Sequence, residues 1–423
     1  MLKSGATITV DVERPVAGGR MLGRHEGQVV LVSGAIPGER VAARVERVAR
    51  SVAHADTVDV LVPSPDRRSA EDWRCGGREY AHIAYERQRT LKAEVIADAF
   101  RRIGRLPLTT APPVMPSPEA GYRMRARFHA AAGRLGFFRE GSHALCDAAA
   151  TGQLSDGAVA WLAAAQAVLD PRVADSILSV ELAENVPASQ RVVHVEVRGP
   201  VDTRALAPLG DGLTGVSAHG SSSPAVAIVA GAPIVADDVP AANAGGPPLR
   251  LSRNVRSFFQ GNRFLLEPLV RHVAALVTAG PVADLYAGVG LFGLAVAADH
   301  EPVTLVEGDP TSGTDLEVNA RPFGARVQVL RRSVEAALAG HLGAIATCLV
   351  DPPRTGLSDN ARAGVVRLGA RRLIYVSCDV ATLARDSRAL VDAGYELTGL
   401  TGVDLFPSTA HIETVAVFDR EVG

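Results

Sequence analysis

A thiol and two carboxyl groups adjoin three apolar segments in the C-terminal part of the sequence. Asp351 begins the motif DPPR, Cys378 lies in SCD and Glu413 lies in HIE. A thiolate can add covalently to an electron-poor carbon, and a carboxylate can accept a proton as a general base. These residue types are therefore typical of covalent catalysis with proton transfer, provided that the fold brings them together.

One reaction that needs these groups is methyl transfer to carbon 5 of a pyrimidine. That carbon is a poor nucleophile until a thiolate adds to carbon 6 and converts the ring into an enolate. After the transfer, a base must remove the carbon 5 proton so that the thiol can leave. Cys378 is the candidate nucleophile and Glu413 the candidate base. Alternatively, Cys378 is a small buried residue and Glu413 is a solvated residue at a strand edge. Cys348, in IATCLV, is predicted to pack in the core.

A glycine-rich segment, DLYAGVGLFG, is predicted to connect a strand to a helix. Gly288, Gly290 and Gly293 fit the dinucleotide fingerprint, and Glu307 ends the next strand, about 20 residues on, where an acid can bind ribose hydroxyls. An NAD-dependent oxidoreductase and an S-adenosylmethionine enzyme both fit this pattern. Asp284 directly before the loop, with the form D-L-x-x-G-x-G, resembles the methyltransferase version of this turn and so favours S-adenosylmethionine. The NAD alternative leaves DPPR, SCD and HIE without a role.

The C-terminal region must position these residues. From about residue 264, helices alternate with apolar strands, which predicts a mainly parallel sheet with helices on both faces. Ligands bind at the carboxyl ends of such strands. The last two strands, YELTGLTGVD and IETVAVFD, form a pair. If the final strand is antiparallel, Asp351, Cys378 and Glu413 converge beside the glycine loop.

The rest of the chain has a different organisation. The first 60 or so residues alternate in short strands, which predicts a small barrel. A helix is expected over YERQRTLKAEVIADAFRRIG, and strands near 122–138 and 190–198 flank a helix near 154–169, which Pro171 closes. The Pro/Gly-rich stretch 236–249 is predicted to be a loop or a domain boundary.

Composition indicates a cytoplasmic protein. The 423 residues carry a net charge of −2, and neither a membrane-length apolar run nor a signal-peptide pattern is evident. The four cysteines are expected to be reduced, and no zinc-ligand pattern appears.

One short stretch of the chain is rich in arginine and contains Arg123, Arg125, Arg127 and Arg139. Arginine suits phosphates and bases, although solvated faces are the alternative.

The ordered motifs SFFQGNRFLLEPLV, DLYAGVGLFGLAVA, VTLVEG, DPPRTGL, YVSCDVATLARD and HIETVAVF resemble those of the RNA (uracil-5-)-methyltransferase family over nearly the whole chain. The resemblance implies an N-terminal TRAM barrel (1–62), a mixed α+β central RNA-facing domain (63–250) and a Rossmann-like class I methyltransferase domain (251–423).

The family's functional residues carry over onto matching positions. The resemblance implies Cys378 as nucleophile and Glu413 as base, and it implies S-adenosylmethionine as co-substrate, contacted by Gln260, Tyr286, Glu307 and Asp351 beside the glycine loop with Gly288 and Gly290. It also favours RNA contacts for Arg123, Arg125, Arg127 and Arg139. Leu291 departs from the polar residue of some members, which puts cofactor contacts there in doubt.

A second departure concerns an iron–sulfur cluster that some members hold with four cysteines. Cys75 and Cys146 match two ligand positions, but Ser69 and Arg78 occupy the others. Two thiolates cannot hold a four-cysteine cluster. We therefore expect no cluster and no metal, and interpret Cys75 and Cys146 as relics or packing residues.

The expected substrate is structured RNA. Ribosomal RNA of the large subunit (23S) is preferred over transfer RNA because the TRAM-like barrel is common in that branch. Neither a membrane nor an obligate protein partner is expected. A non-catalytic RNA-binding factor and a cytosine methyltransferase are the remaining alternatives. The intact Cys378, Glu413 and Asp351 argue against the former, and only product analysis separates the latter.

Overall fold

The computed structural model describes residues 2–69, 72–239 and 248–421. The first five strands are β1 (Thr7–Pro15), β2 (Met21–His25), β3 (Gln28–Ser33), β4 (Arg40–Ala49) and β5 (Val52–Val62). They close into a barrel with the order β1-β2-β3-β5-β4. Alternate residues, among them Val10 and Val41, are fully buried in its interior. The small barrel predicted from the strand alternation is confirmed.

A helix and a short strand follow the barrel. Helix α1 (Tyr85–Ala99) continues into one π-helical turn (Phe100–Gly104), and strand β6 (Val114–Met115) comes next. The predicted helix is therefore present. Its apolar face, including Ile96 and Phe100, packs with residues of the C-terminal region.

A seven-stranded sheet occupies the middle of the chain. Its strands are β7 (Arg125–Ala131), β8 (Arg134–Phe138), β9 (Leu145–Cys146), β10 (Ile177–Glu184), β11 (Arg191–Val197), β12 (Gly215–Gly220) and β13 (Val226–Gly231). Their order is β13-β12-β11-β10-β7-β8-β9. Apolar residues of one face pack with helices of the same region, which are α2 (Asp156–Val168), α3 (Pro171–Ser176), α4 (Thr203–Leu206) and the 3-10 turns Ala149–Thr151 and Ala207–Gly210.

The helix predicted near 154–169 is present as α2, which ends before Pro171. Pro171 itself begins the next helix, α3, where its missing N–H costs nothing in the first turn. The stretch 236–249 is not all loop, because strands β14 (Ile234–Val239) and β15 (Leu249–Asn254) extend into it from both sides and pair antiparallel. Residues 240–247 of that stretch lie outside the described residues.

The C-terminal sheet has eight strands. Seven come from the predicted α/β region with its final pair, and β6 adds the eighth. The seven are β16 (Val282–Leu285), β17 (Val303–Glu307), β18 (Val327–Arg331), β19 (Thr347–Val350), β20 (Arg372–Ser377), β21 (Glu396–Val403) and β22 (Glu413–Asp419). The order is β18-β17-β16-β19-β20-β22-β21-β6. Strands β16 to β20 are parallel, and β22 runs antiparallel between β20 and β21.

Helices cover both faces of this sheet. They are α5 (Leu266–Leu276), α6 (Leu291–Val296), α7 (Pro310–Ala320), α8 (Val334–Ala339), α9 (Asp359–Leu368) and α10 (Val380–Asp392), with a 3-10 segment at Arg321–Arg326. Two separate apolar cores result, one on each face. The predicted Rossmann-like fold with an antiparallel last strand is confirmed. Among the described residues, no helix is both long enough and apolar enough to cross a membrane.

Cys75 and Cys146 form a disulfide across 71 residues of sequence. Both residues are buried in the core of the central region, as packing residues would be. The expectation of four reduced thiols is nevertheless wrong for this pair. Strand β9 pairs Cys146 with Phe137, and a bridge pairs Cys75 with Arg139, so neighbouring strands bring the sulfurs together. The separation of the two cysteines in sequence gave no indication of this contact.

A buried ion pair links α1 to the C-terminal sheet. The Lys92 ammonium lies 2.5 Å from an Asp404 carboxylate oxygen and also donates to the Phe406 carbonyl at 3.0 Å. Both side chains are essentially inaccessible to water. Removing one member leaves the other charge buried without its counter-charge, which is strongly destabilising. We infer that this pair helps to hold α1 against the C-terminal sheet.

Replacing Lys92 by Met should therefore lower the free energy of unfolding by roughly 3–5 kcal/mol, since the Asp404 charge stays buried. Urea titration monitored by circular dichroism measures this loss. Arg271→Met, which breaks the exposed pair with Glu267, is the matched control and should cost less than about 0.5 kcal/mol. Equal losses in the two variants would contradict the role assigned to Lys92.

Thiol titration in denaturant should find two free thiols before reduction and four after it, because Cys348 and Cys378 are free and the other pair is bonded. Four thiols before reduction would contradict the disulfide. Iron and sulfide analysis of the same protein tests the prediction of no cluster separately, and stoichiometric amounts of both would refute it.

Candidate active site

The three residues predicted to be reactive, Asp351, Cys378 and Glu413, meet at one end of the strands of the C-terminal sheet. Val350 of β19 pairs with Tyr375 of β20, so Asp351 lies just beyond the end of one strand while the neighbouring strand continues toward Cys378. Ser377 of β20 pairs with Thr414 of β22. The next residues outward from that antiparallel pair are Cys378 and Glu413. The sequence predicted this convergence, and the structure contains it.

A cavity of about 480 Å³ opens at this edge, within the usual size range of small-molecule sites. The predicted residues Gln260, Tyr286, Gly288, Glu307, Asp351, Cys378 and Glu413 all line it. Gly290 is not among the lining residues. A side chain at this position would collide with Leu294 and Leu316, so this glycine allows the turn to pack closely.

The glycine turn is held by two acidic side chains. Glu307 accepts hydrogen bonds from the N–H groups of Gly288 (2.7 Å) and Asp309 (2.6 Å). Its carboxylate oxygens keep further lone pairs that could accept from ribose hydroxyls. Asp284 is 1% exposed and accepts from the Gly293 N–H at 2.8 Å. Asp284 therefore shapes the turn from behind and does not face the cavity.

Backbone conformation at the turn explains its composition. Tyr286 and Gly288 have φ values of 64° and 56°. Glycine adopts such values without strain, whereas Tyr286 needs support from its surroundings. A side chain at Gly288 would meet no atom within 4 Å. The backbone there therefore leaves open space beside Glu307 for a ligand to approach closely.

Burial sets the electrostatics of the reactive groups. Glu413 is 4% exposed, and its Oε1 atom has no hydrogen-bond partner among the described residues. Burial raises the pKa of Glu413 to about 7. Burial and the neighbouring Glu413 also raise the pKa of Asp351, whose Oδ2 accepts from Gln260 at 3.4 Å. The two carboxyl groups thus disfavour simultaneous ionisation.

Cys378 lies between the end of β20 and the first turn of α10. Asp379 caps that helix by accepting from the N–H groups of Ala381 and Thr382. Burial, followed by the carboxyl groups of Glu413 and Asp351, raises the pKa of Cys378 to about 11, although Arg354 acts in the opposite direction. The thiol is therefore mostly protonated at neutral pH in this state.

Several cavity residues were missed by the sequence reasoning. They are Arg256, Phe258, Asp309, Ser312, Pro352, Pro353 and Arg354. Arg354 stands in the DPPR motif and Asp309 follows Glu307 closely, so proximity to recognised motifs was a usable signal. Phe258 is 64% exposed at the cavity, and no periodicity distinguishes it from its buried neighbour Phe259.

The four predicted RNA-binding arginines do not lie in the cavity. Arg125 donates to the carbonyls of Ser257 and Val255 and holds that segment. Arg127 donates to a Glu196 carboxylate oxygen (3.1 Å) and Arg139 to one of Asp72 (2.6 Å), while Arg123 lies 5.5 Å from the centre of the Phe406 ring. Their contacts with RNA stay a prediction.

Metal binding has no support from side-chain clusters in the described part of the chain. Residues 2–69, 72–239 and 248–421 contain no group of three or more His, Cys, Asp or Glu side chains placed to hold an ion. For an iron–sulfur cluster, the two matching cysteines are bonded to each other and the other two positions are Ser69 and Arg78, so the residues present do not fit that group.

Comparisons with known proteins extend over the whole chain. The TRAM domain family model matches residues 2–58, and that of tRNA (Uracil-5-)-methyltransferase matches residues 325–421. The chain is 32% identical to the 23S rRNA (uracil(1939)-C(5))-methyltransferase RlmD of Pseudomonas putida, covering 98% of this chain and 94% of the relative. It is also 32% identical to an uncharacterized RNA methyltransferase of Streptomyces coelicolor, over 98% and 93%.

A solved structure has a similar fold along the full length. The tRNA (uracil-54, C5)-methyltransferase of Pyrococcus abyssi in complex with S-adenosyl-L-homocysteine superimposes with a TM-score of 0.75 and covers 97% of this chain and 99% of its own. The two sequences are 22% identical. This similarity supports the arrangement of barrel, central sheet and C-terminal sheet.

Alkylation by iodoacetamide should reveal the raised pKa of Cys378. Because only the thiolate reacts, its rate should rise about tenfold per pH unit and keep rising toward pH 11. Glu413→Gln removes a neighbouring carboxylate and should shift the profile to lower pH. Mass spectrometry assigns the labelled residue, with buried Cys348 as the unreactive control. A plateau near pH 8.5 would contradict the assigned environment.

Proposed function

Because the chain belongs to the RNA (uracil-5-)-methyltransferase family, we propose that it transfers the methyl group of S-adenosylmethionine to carbon 5 of a uridine in RNA through a covalent intermediate on Cys378. Relatives that match 98% of the chain and are named as RNA methyltransferases support the reaction class. The observation that carries the mechanism is the placement of Cys378 and Glu413 side by side at one cavity with the glycine turn.

The cavity residues divide between two substrates. We assign Gln260, Tyr286, Glu307 and Asp351, with Gly288, to S-adenosylmethionine, which supplies an electrophilic methyl group when bound. Gly290 supports this site through the packing of the turn. The Glu307 carboxylate suits the ribose hydroxyls. The thiol of Cys378 and the carboxyl group of Glu413 remain for the uracil ring.

The Cys378 thiol first loses its proton to solvent water. The thiolate sulfur then forms a bond to carbon 6, and the ring becomes an enolate that is nucleophilic at carbon 5. Carbon 5 then bonds to the methyl carbon while the sulfonium carbon–sulfur bond breaks. Glu413 accepts the carbon 5 proton, the carbon 6–sulfur bond breaks, and the double bond returns. A carboxyl group with a pKa of about 7 is well matched to accepting a proton near neutral pH.

The uridine must leave its base stack to reach this cavity. Unstacking costs a few kcal/mol and costs least in a loop or another single-stranded region. The TRAM barrel and the arginines of the central region would supply affinity for the flanking RNA. We assign Arg123, Arg127 and Arg139 to that task, and Arg125 to the support of the cavity segment at residues 255–257.

We propose 23S ribosomal RNA as the substrate, because the relatives that match nearly the whole chain include enzymes named for it. Transfer RNA is the second candidate, since the similar solved structure is named for a transfer RNA.

We place the enzyme in the cytoplasm, where it needs no membrane and no protein partner. The divisions 1–62, 63–250 and 251–423 describe its RNA-binding barrel, central and catalytic parts, with α1 and β6 completing the last.

RNA transcribed with 5-fluorouridine should trap the enzyme, because fluorine cannot leave as a proton. We expect a denaturation-resistant adduct between wild-type protein and 23S transcript, and none with Cys378→Ala. Cys348→Ala, which changes only a core thiol, is the matched control and should form the adduct normally. An adduct that persists in Cys378→Ala would overturn the assignment of the nucleophile.

With ordinary uridine, Glu413→Gln should stall after methyl transfer and accumulate protein-bound RNA, because release needs the proton to leave. Release should slow by roughly 10²–10⁴-fold, the usual contribution of a general base. Mass mapping of ribosomal and transfer RNA from a deletion strain identifies the RNA and distinguishes methyluridine from methylcytidine. Release at the wild-type rate would show that another group removes the proton.

A further inference from the structure

Strands β7 and β8 carry an aromatic cluster that the proposed chemistry does not use. The ring of His129 stacks on that of Phe138 with centroids 3.7 Å apart and planes 8° apart. His143 meets Phe138 edge-on at 5.2 Å. Aromatic rings in a sheet usually face the core, yet His129 and Phe138 are partly exposed and His143 is exposed. We call these three residues the aromatic platform.

The platform occupies the outer face of the central sheet. Phe128 and Phe137, its chain neighbours, point to the opposite face and are buried against the helices. Because side chains alternate along a strand, Arg127 lies on the outer face beside His129. Arg134 is exposed on that face as well. Rings and guanidinium groups therefore share one accessible surface.

The outer face of β7 leads from the platform to the catalytic cavity. Arg125, four residues before His129 on β7, holds the carbonyls of residues 255 and 257, and its guanidinium lies 6.0 Å from the centre of the Phe258 ring. Phe258 lines the cavity. Four residues of strand span about 13 Å. An RNA strand that leaves the cavity past Phe258 can therefore reach the platform within a short single-stranded segment.

We propose that His129, Phe138 and His143 bind a base of the same RNA by stacking, close to the target uridine. The inference rests on the proposed function and adds a base-binding site to it. Stacking on aromatic rings next to arginines is a common way in which proteins hold single-stranded RNA. Arg127 and Arg134 provide positive charge for the backbone, although Glu181 and Glu196 share the charge of Arg127.

Burial and the nearby Arg127 lower the pKa of His129, which favours the neutral form of its ring. Binding through the platform should therefore depend on ring surface and only weakly on ionic strength, whereas binding through the arginines should weaken steeply with salt. This difference separates the platform from a general electrostatic surface.

Phe138→Leu keeps an apolar side chain but removes the ring, and His129→Leu does the same on β7. With unmethylated 23S transcript as the probe, each variant should raise the KM for RNA about tenfold, the size expected for one lost base–aromatic stack. The kcat and the KM for S-adenosylmethionine should stay unchanged. Phe138→Tyr, which keeps an aromatic ring, should have the wild-type KM for RNA. In the two Leu variants, the dependence of RNA affinity on salt concentration should have the same slope as in wild type.

Ile228→Ala is the matched control, because Ile228 is 54% exposed on the edge strand of the same sheet, away from the platform. It should leave the KM for RNA unchanged. Thermal unfolding of each variant verifies that the central sheet is intact. Unchanged KM values in both Leu variants, alongside normal methylation by the wild-type enzyme, would overturn the platform alone. Absence of methylation and adduct in wild type would instead overturn the proposed function.

Discussion

The antiparallel insertion of β22 between β20 and β21 is the constraint on which the reactive site depends. In a wholly parallel sheet, the last strand would begin at the end of the sheet that lies away from the glycine turn. Here Ser377 pairs with Thr414, so a residue that ends one strand lies beside a residue that begins another. The thiol and the carboxyl group come from segments 35 positions apart, Cys378 and Glu413, and a shift of one residue would turn Glu413 to the other face.

Burial then tunes the groups that this register brings together. The same lack of solvent that favours a protonated Glu413 also disfavours the Cys378 thiolate. Neither effect follows from residue type, since both depend on which neighbours the cavity walls provide. With a pKa of about 7, Glu413 has both its acid and its base form accessible near neutral pH, as the proposed proton transfer requires. The positive charge of Arg354, which also lines the cavity, acts against burial by lowering the pKa of both groups.

Much of the fold was readable from the sequence. Strand alternation predicted the barrel, and the rhythm of helices and strands predicted the C-terminal sheet, because both patterns are local. The convergence of Asp351, Cys378 and Glu413 followed from a general rule about strand ends. Contacts between distant segments were not readable. The disulfide, the true position of Asp284 behind the turn, and the exposure of Phe258 each depend on which surfaces happen to meet in three dimensions.

The two-residue strand β6 extends the catalytic sheet from a part of the chain that precedes the entire central region. It pairs in parallel with β21, and helix α1 packs over the adjoining face. The C-terminal sheet thus takes its edge strand, β6, and one of its covering helices, α1, from a part of the sequence far upstream. A polypeptide emerging from the ribosome must wait for its last two strands before these early segments find their partners. The order of synthesis and the order of assembly consequently differ, and the central sheet can fold around its own core while the catalytic sheet is still incomplete.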